Sequence, residues 1–433
     1  MNLLEKIETK RNIFLTGGAG TGKSWSVNKL LSNLPQGYRP ICTATTGMAS
    51  LAYSEGETIH RALALGVDMP LKKIFRSYKF VKEAAPRMRR SRLLVIDEIS
   101  MLRSDIFGIA SSVLQEARLG ETGPNLAPMG GIQCLFVGDF LQLPPVVRPD
   151  ERKKFKRGEE FCFKSELWSR LNLETINLVE IKRSSDLAFA EMLNKIRRGL
   201  LDSDADAMIR DAADHRPPDG VRPILLRSTN AEVHQINQVE LGKNHSDLEI
   251  YQADVSGVDE FKVTELVRDC PAENKLELKV GAQVIIIRND SDGNYVNGSM
   301  GVYWGMEERE FEYQGEWIEE VCANIELLES KEMVHVRKAV WRKEKHDPKT
   351  GKTVMLAECK QYPVKLGYAI TIHKSQGQSI DYLEVDLQRC FAPGMAYVAL
   401  SRARSFAGLC VKNYRRNTVK TNPHCLMFYE GLK

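Results

Sequence analysis

The sequence has little of what would place it outside the cell or in a membrane. Its nine cysteines stand singly, with no C-x-x-C pair, so neither a disulfide framework nor a zinc ribbon is expected. Cys42, Cys134 and Cys410 fall in apolar runs and are read as buried thiols in a reducing compartment. No apolar run approaches the roughly 18 residues that span a bilayer, and no signal-type segment precedes the first strand. The expected setting is intracellular: cytoplasmic, or nuclear in a eukaryote. The formal net charge is only +4, so any nucleic-acid footprint has to come from local clustering of Lys and Arg. Internal repeats and low-complexity tracts are missing. The first twelve residues hold Lys6, Lys10 and Arg11 but no glutamine.

What is present begins with Gly17-Gly18-Ala19-Gly20-Thr21-Gly22-Lys23-Ser24, a match to G-x-x-x-x-G-K-[ST] between the apolar run Ile13-Phe14-Leu15 and a helical stretch from Trp25. Glycines let successive N–H groups point into one hollow, and the helix start adds partial positive charge, so a polyphosphate is the expected ligand. Lys23 is assigned to the β/γ-phosphates and Ser24 to Mg²⁺. At 433 residues the chain has room for several domains around this loop.

Leu93 to Ile96 reads as a buried parallel strand delivering Asp97 and Glu98 to its carboxyl edge. Downstream of a phosphate loop, Asp97 is expected to bind Mg²⁺ through water and Glu98 to polarise the attacking water. The strand Gly131 to Val137 leads to Gly138-Asp139-Phe140-Leu141-Gln142-Leu143-Pro144-Pro145. Gln142 then lies at the same edge, either sensing a γ-phosphate or standing in solvent. Pro40 to Ala44 is a further strand, and the hydroxyls of Thr45 and Thr46 behind it suit either an ordinary helix cap or a nucleic-acid phosphate. In the helix that follows Asp97 and Glu98, Ile106, Ile109, Ala110, Val113, Leu114 and Ala117 recur at core spacing. Between Leu71 and Arg92, nine basic residues face one acid, Glu83, with Phe75, Tyr78 and Phe80 interleaved. This is a solvated face or a nucleic-acid contact.

Together these stretches resemble the Pif-type helicases. The phosphate loop, Thr45-Thr46-Gly47-Met48-Ala49, Ile96 to Met101, Gly138 to Pro145 and the run Ser100 to Phe107 are similar to that family's first half. Glu180-Ile181-Lys182-Arg183-Ser184, Tyr368 to Ser379 and Tyr397 to Arg404 are similar to its second half. The resemblance runs in order from Ile13 to about Val411. It implies a superfamily 1B DNA helicase that uses ATP and Mg²⁺ to move 5′ to 3′ on single-stranded DNA and to open 5′-tailed duplexes, with G-quadruplexes and DNA–RNA hybrids as further targets. Repair, recombination and telomere maintenance are the settings it suggests.

The fold expected is α/β, two tandem RecA-like motor domains. Residues 1–62 and 93–177 form the first and 178–302 with 364–433 the second, with strands at 178–181, 223–226 and 383–385 and a helix from Asp186 to Gly199. A basic wedge is expected at 63–92 and an SH3-like β-barrel at 303–363. By resemblance Gly18 to Ser24, Gln376 and Gly377 bind nucleotide, Arg183 and Arg402 reach it from the second domain, and Thr45, Thr46, His60, His373, Lys374 and Ser375 line the DNA. A family glutamine that reads adenine has no counterpart before Gly17. Two other classes fit less well. A nucleotide-gated DNA binder would not need both arginines, and a small-molecule kinase would have no use for the basic insertion. The alternative that remains is a DNA-stimulated ATPase without strand separation.

Overall fold

A computed structural model describes residues 3–35, 37–50, 52–66, 69–77, 79–119, 127–156, 158–179, 186–290, 293–313, 316–346 and 353–432. The chain parts into two compact units, Met1–Ser228 with Ile372–Lys433, and Thr229–Thr371. That parting differs in its bounds from the four-part division expected above.

The first unit is organised by six strands in the order Glu57–Thr58, Ile41–Ala44, Leu93–Asp97, Gln133–Val137, Ile13–Gly17, Glu174–Leu178. Every neighbouring pair is parallel. Parallel strands are covered on both faces, and the sequence shows how. Successive side chains point to opposite faces, so Ile13, Leu15, Val95, Leu135 and Val137 enter one apolar cluster. Phe14, Leu94, Ile96, Cys134 and Phe136 enter the other. The second cluster is rich in aromatics, with Phe163 and Phe428 stacked at 4.4 Å. Phe428 belongs to the last helix, Pro423–Glu430, so the chain's end closes the core of its beginning.

The outermost strand corrects one expectation. A strand was placed at 178–181 in the second motor domain, but Glu174–Leu178 pairs with Ile13–Gly17 in the first sheet, and residues 180–185 lie outside the described residues. Leu178 packs with the face that holds Leu15 and Val137, which fixes its allegiance. A second parallel set in the same unit joins Leu383–Asp386 to both Ile224–Arg227 and Leu409–Lys412. Its helix Leu187–Arg197 starts at Asp186, whose carboxylate accepts from the Phe189 N–H, and ends before Gly199 at φ 71°. This is the α/β motor architecture expected from the sequence.

The basic segment is helical. It comprises Leu71–Phe75, a π-helical turn Lys79–Ala84, and Ala85–Arg90. Ile74, Phe80, Ala84, Ala85 and Met88 are buried with Phe107 and Leu114, and Phe75 packs against them. Two of the three interleaved aromatics, Phe75 and Phe80, thus serve the core. Phe80 is only 4% exposed because helical spacing puts it on the inward stripe with Ala84 and Met88. Tyr78 lies outside the described residues. The charges take the other face, with Lys72, Lys73, Arg76, Lys79, Lys82, Arg89, Arg90 and Arg92 exposed. Arg87 is anchored by Glu57 and by the Ala62 carbonyl.

In the unit Thr229–Thr371, the hairpin Met300–Tyr313 and Glu316–Leu327 lies at the centre of a five-stranded sheet, flanked by Met333–Val336 and by Gln283–Ile286 with Val364–Leu366. The strands expected at 322–327 and 333–336 are there, and Tyr303 is fully buried in their core. Asp254–Gly257, Thr353–Gln361 and Ala339–His346 make a separate three-stranded sheet. The sheets therefore draw in strands from before residue 303 and after 363. The turns expected at Asp347-Pro348 and Thr350-Gly351 fall outside the described residues.

All nine cysteines are free thiols, and Cys42, Cys134 and Cys410 are buried as expected. Among the described residues no helix is long and apolar enough to cross a membrane.

Candidate nucleotide site

The phosphate loop leaves its strand at Gly17 and enters the helix Lys23–Leu31 through Gly22, which stands in the left-handed region at φ 82°. Glycine adopts this conformation without strain, which explains its place in the motif. Lys23 Nζ donates to the carbonyls of Gly17 and Gly18, each at 2.9 Å. Burial pushes its pKa down, opposed by the charges of Asp139, Glu98 and Asp97. The buried ammonium thus feels the charge of three acids while its hydrogen bonds go to the loop's own carbonyls. The Ala19 N–H donates to the hydroxyl of Tyr397 at 2.7 Å. Tyr397 comes from the helix Met395–Leu400, whose cap Gly394 has φ 78°. A side chain at Gly394 would meet the Gln142 carbonyl at 2.2 Å. Only glycine lets this helix start so close to the Pro-Pro loop.

Asp97 ends a wholly buried strand. Its carboxylate accepts from the Tyr53 hydroxyl and from the Glu98 N–H. Burial raises its pKa, while those bonds, Lys23 and the Ser24 hydroxyl act the other way. Glu98 itself adopts φ 51°, ψ 41°, an uncommon conformation for a residue with a side chain. It turns the chain directly after the strand and presents the carboxylate to the cavity. There burial and the neighbouring Asp97 push the Glu98 pKa up to about 7, against Lys23, Arg402 and a hydrogen bond from Gln376.

Gln376 Nε2 donates to Glu98 Oε2 at 2.9 Å and to Gln142 Oε1 at 3.4 Å. Its own Oε1 is buried with no hydrogen-bond partner among the described residues. Gln142 is 5% exposed, which decides against the solvent-facing alternative. Arg402 is held by the Val398 carbonyl at 2.9 Å and the Ser401 hydroxyl at 2.9 Å. A cavity of about 440 Å³ is lined by Ala19, Gly20, Gly22, Lys23, Ser24, Trp25, Asp97, Glu98, Gln142, Gly377 and Arg402. The structure thus brings together most of the residues singled out for nucleotide chemistry. Gly18 lies beside Asn194 and Tyr397, and Thr21 donates to the Gly18 carbonyl. Arg183 lies outside the described residues.

Sequence reasoning missed a second layer. Asp139, fully buried, takes a two-pronged pair from Arg197, each bond 2.8 Å. Burial raises the Asp139 pKa, but Arg197 together with Lys23 and the Leu141 N–H holds the group below its ordinary value. Tyr429 donates to Asp139 at 3.2 Å, and its ring lies 5.2 Å from the Arg197 guanidinium. Asp139 and Tyr397 stand inside quoted motifs, so their presence was signalled but not their partners. Tyr53, Arg197 and Tyr429 carry no motif.

The residues expected along DNA divide. Lys374 is exposed and His373 half-buried, its ring stacked with Phe391 at 6.4 Å. His60 is half-buried. The Thr45 hydroxyl donates to the Glu98 carbonyl at 2.9 Å, and Thr46 accepts from the Ala49 N–H as a cap does. Ser375 corrects the expectation. It is 0% exposed, its hydroxyl donates to the Ile372 carbonyl, and its own carbonyl accepts from Arg402. Its side chain is committed to holding the loop rather than to a surface.

Fold and cavity together define the class, an α/β protein built like the RecA-type motors, with a phosphate loop on a central strand. Comparison with known proteins carries this further. The family described as PIF1-like helicase matches residues 3–207. The chain is 32% identical to the human ATP-dependent DNA helicase PIF1 over its whole length, and 30% identical to the Pif1 helicase of Bdellovibrio bacteriovorus over 99% of it. It spans 63% of the human protein's length and 91% of the bacterial one. The crystal structure of Pif1 from Candida albicans superposes with a TM-score of 0.85 at 32% identity, covering 100% of this chain and 98% of that one. The chain belongs to the PIF1-like helicase family.

Proposed function

We propose that this chain is an ATP-dependent DNA helicase that moves 5′ to 3′ on single-stranded DNA and opens 5′-tailed duplexes, with G-quadruplexes and DNA–RNA hybrids as further targets. The observation that carries the reading is a hydrogen-bonded link between two sets of residues. Thr45 is bonded to the Glu98 carbonyl. Ser375, one residue from Lys374, is bonded through its carbonyl to Arg402, and the next residue, Gln376, is bonded to the Glu98 carboxylate. Each loop proposed to touch DNA is thus fixed to a group proposed to act on the triphosphate. A change at one is felt at the other, which motion driven by hydrolysis needs.

In this reading Lys23 leaves the Gly17 and Gly18 carbonyls for the β/γ-phosphates. Glu98, held by Gln376, orients the attacking water and accepts its proton. The unpartnered Gln376 Oε1 is a ready acceptor for that water. Arg402 and Gln142 face the γ-phosphate, and Arg183 is given the second arginine role on resemblance alone. Ser24 and Asp97 offer a hydroxyl and a buried carboxylate, the hard oxygen donors that Mg²⁺ takes together with substrate phosphates. When bound, the ion neutralises charge on those phosphates. Thr45, Thr46, His60, His373 and Lys374 are assigned to the DNA track. The division into two motor domains, a basic wedge and an SH3-like insertion is retained as part of the proposal, as is an intracellular setting.

The burial of Phe80 favours a second reading, a DNA-stimulated ATPase without strand separation, because it takes one of the interleaved aromatics off the basic face. Duplexes with a 5′ or a 3′ tail distinguish them. Opening of the 5′-tailed substrate alone supports the helicase, and ATP turnover with neither duplex opened supports the alternative.

A further inference from the structure

We propose that Tyr53 is a positioning residue for the Mg²⁺–triphosphate complex: its hydroxyl, set between the Ser24 hydroxyl and the Asp97 carboxylate, fixes both as cation ligands before the nucleotide arrives. This rests on the nucleotide reading above and deepens it.

Tyr53 reaches these groups from a stretch of chain that carries neither ligand. It follows the short helix Gly47–Ser50. Its N–H donates to the Ser50 carbonyl at 3.3 Å, and its own carbonyl accepts from the Gly56 N–H at 3.0 Å. The carbonyl of Ala52, one residue earlier, accepts from Asn28 Nδ2 at 2.7 Å, and Asn28 belongs to the helix Lys23–Leu31. The segment is thus braced on the same helix that holds Ser24. The Tyr53 side chain is buried among Val27, Leu30 and Val95, so packing fixes the ring and leaves the hydroxyl to the polar groups at its end.

Donors and acceptors then define what the hydroxyl does. Asp97 Oδ2 accepts from Tyr53, and Oδ1 accepts from the Glu98 N–H at 2.7 Å, so the carboxylate is held at both oxygens and cannot turn about its last bond. The Ser24 hydroxyl is hydrogen-bonded within the same group, to Tyr53 and to Asp97. A hydroxyl has one hydrogen and two lone pairs, whereas an ionised carboxylate only accepts. Both hydroxyl hydrogens therefore point toward Asp97, directly or through Tyr53, and the Ser24 lone pairs are left for the cavity that Ser24 and Asp97 line. Tyr53 itself does not line that cavity, so it acts through the two ligands rather than on the cation. Groups behind a metal ligand set its direction, and losing one typically lowers metal affinity by about 10–100-fold.

Tyr53→Phe keeps the buried ring and removes only the hydroxyl. The test follows binding of the β,γ-imido analogue of ATP by calorimetry in the wild type, Tyr53→Phe and Lys23→Ala, first in EDTA and then at stepped Mg²⁺ concentrations. In EDTA, Tyr53→Phe should bind the analogue as the wild type does, because Lys23 and the loop N–H groups are untouched, and this also shows that the variant is folded. The Mg²⁺ concentration that brings binding halfway to its full strength should rise by about tenfold or more in Tyr53→Phe. An unchanged Mg²⁺ half-point, or a loss of affinity that is as large in EDTA as in Mg²⁺, would each overturn the inference while leaving the nucleotide reading intact. Failure of the wild type to bind the analogue, or indifference of that binding to Lys23→Ala, would instead overturn the nucleotide reading itself.

Discussion

The cavity proposed to hold nucleotide and the basic segment at 71–90 were both conspicuous in the sequence, and the fold treats them in opposite ways. In the cavity the charged groups are drawn inward. Asp139 is fully buried and bound by Arg197, Lys23 is buried within the influence of three acids, and Glu98 is pushed up to about 7 by burial and Asp97. In the basic segment the charges face out and the aromatic ring of Phe80 faces in. A phosphate loop is specified by backbone requirements that only glycine meets at Gly22, so its letters fix its geometry. An interleaved run of aromatics and bases specifies only an amphipathic helix, and which stripe is functional depends on what packs beneath it.

The largest expected effects lie in the cavity. Lys23→Ala should abolish nucleotide binding and hydrolysis, and Arg402→Ala should lower kcat by about 10³-fold, the scale of a lost phosphate-facing arginine. A change confined to KM in Arg402→Ala would place that residue outside the transition state. Glu98→Gln should bind ATP and stall, and turnover equal to wild type would remove Glu98 from the water-orienting role.

Next in size is stability. Arg197→Ala leaves the Asp139 carboxylate buried without its cation, a loss of about 3–5 kcal/mol on breaking such a pair. Urea unfolding measures it, and Arg197→Ala combined with Asp139→Asn should recover part of the loss. No recovery would mean that Arg197 acts through packing on Tyr429 instead.

A smaller effect concerns pH. A carboxyl whose folded pKa is raised holds its proton more tightly in the folded state than in the unfolded chain. The folded form therefore binds more protons between 4.5 and about 7, and stability falls as pH rises through that window. Glu98→Gln should flatten this slope in nucleotide-free protein. Turnover should move oppositely, rising with pH as Glu98 ionises. A Glu98→Gln protein with the wild-type stability profile would show that another group carries it.

The smallest effects belong to the basic face. Replacing residues 71–90 outright would open the core around Ile74, Phe80 and Met88, so the informative variant changes only charges. Lys72, Lys73, Arg76, Lys79 and Lys82 to Gln should leave DNA-stimulated hydrolysis largely intact while reducing unwinding and flattening the salt dependence of binding. Lys374→Ala should flatten that dependence by about one unit of slope. An unchanged slope in either would return that group to a merely solvated role.

Much of the site was legible because its parts are local. The strand ending in Asp97 and Glu98, the loop to Gln142 and the helix between Asp186 and Gly199 are each written in a short stretch. What was not legible depends on distant pairing. Arg197 finds Asp139 across 58 positions and Tyr53 finds Asp97 across 44, and neither partner carries a mark of the other. The strand Glu174–Leu178 went to the first sheet because its side chains complete that core, a choice made by packing rather than by its own letters. Ser375 has the chemistry of a phosphate contact and the environment of a loop brace.

The central claim is that hydrolysis in the cavity is tied to a strand of DNA through the Thr45–Glu98 and Ser375–Arg402 links. ATP turnover of the wild-type chain with and without single-stranded DNA tests it most directly. A strong rise in kcat on adding DNA, lost in Arg402→Ala, is the predicted result. Turnover that proceeds at the same rate whether or not DNA is present would contradict it.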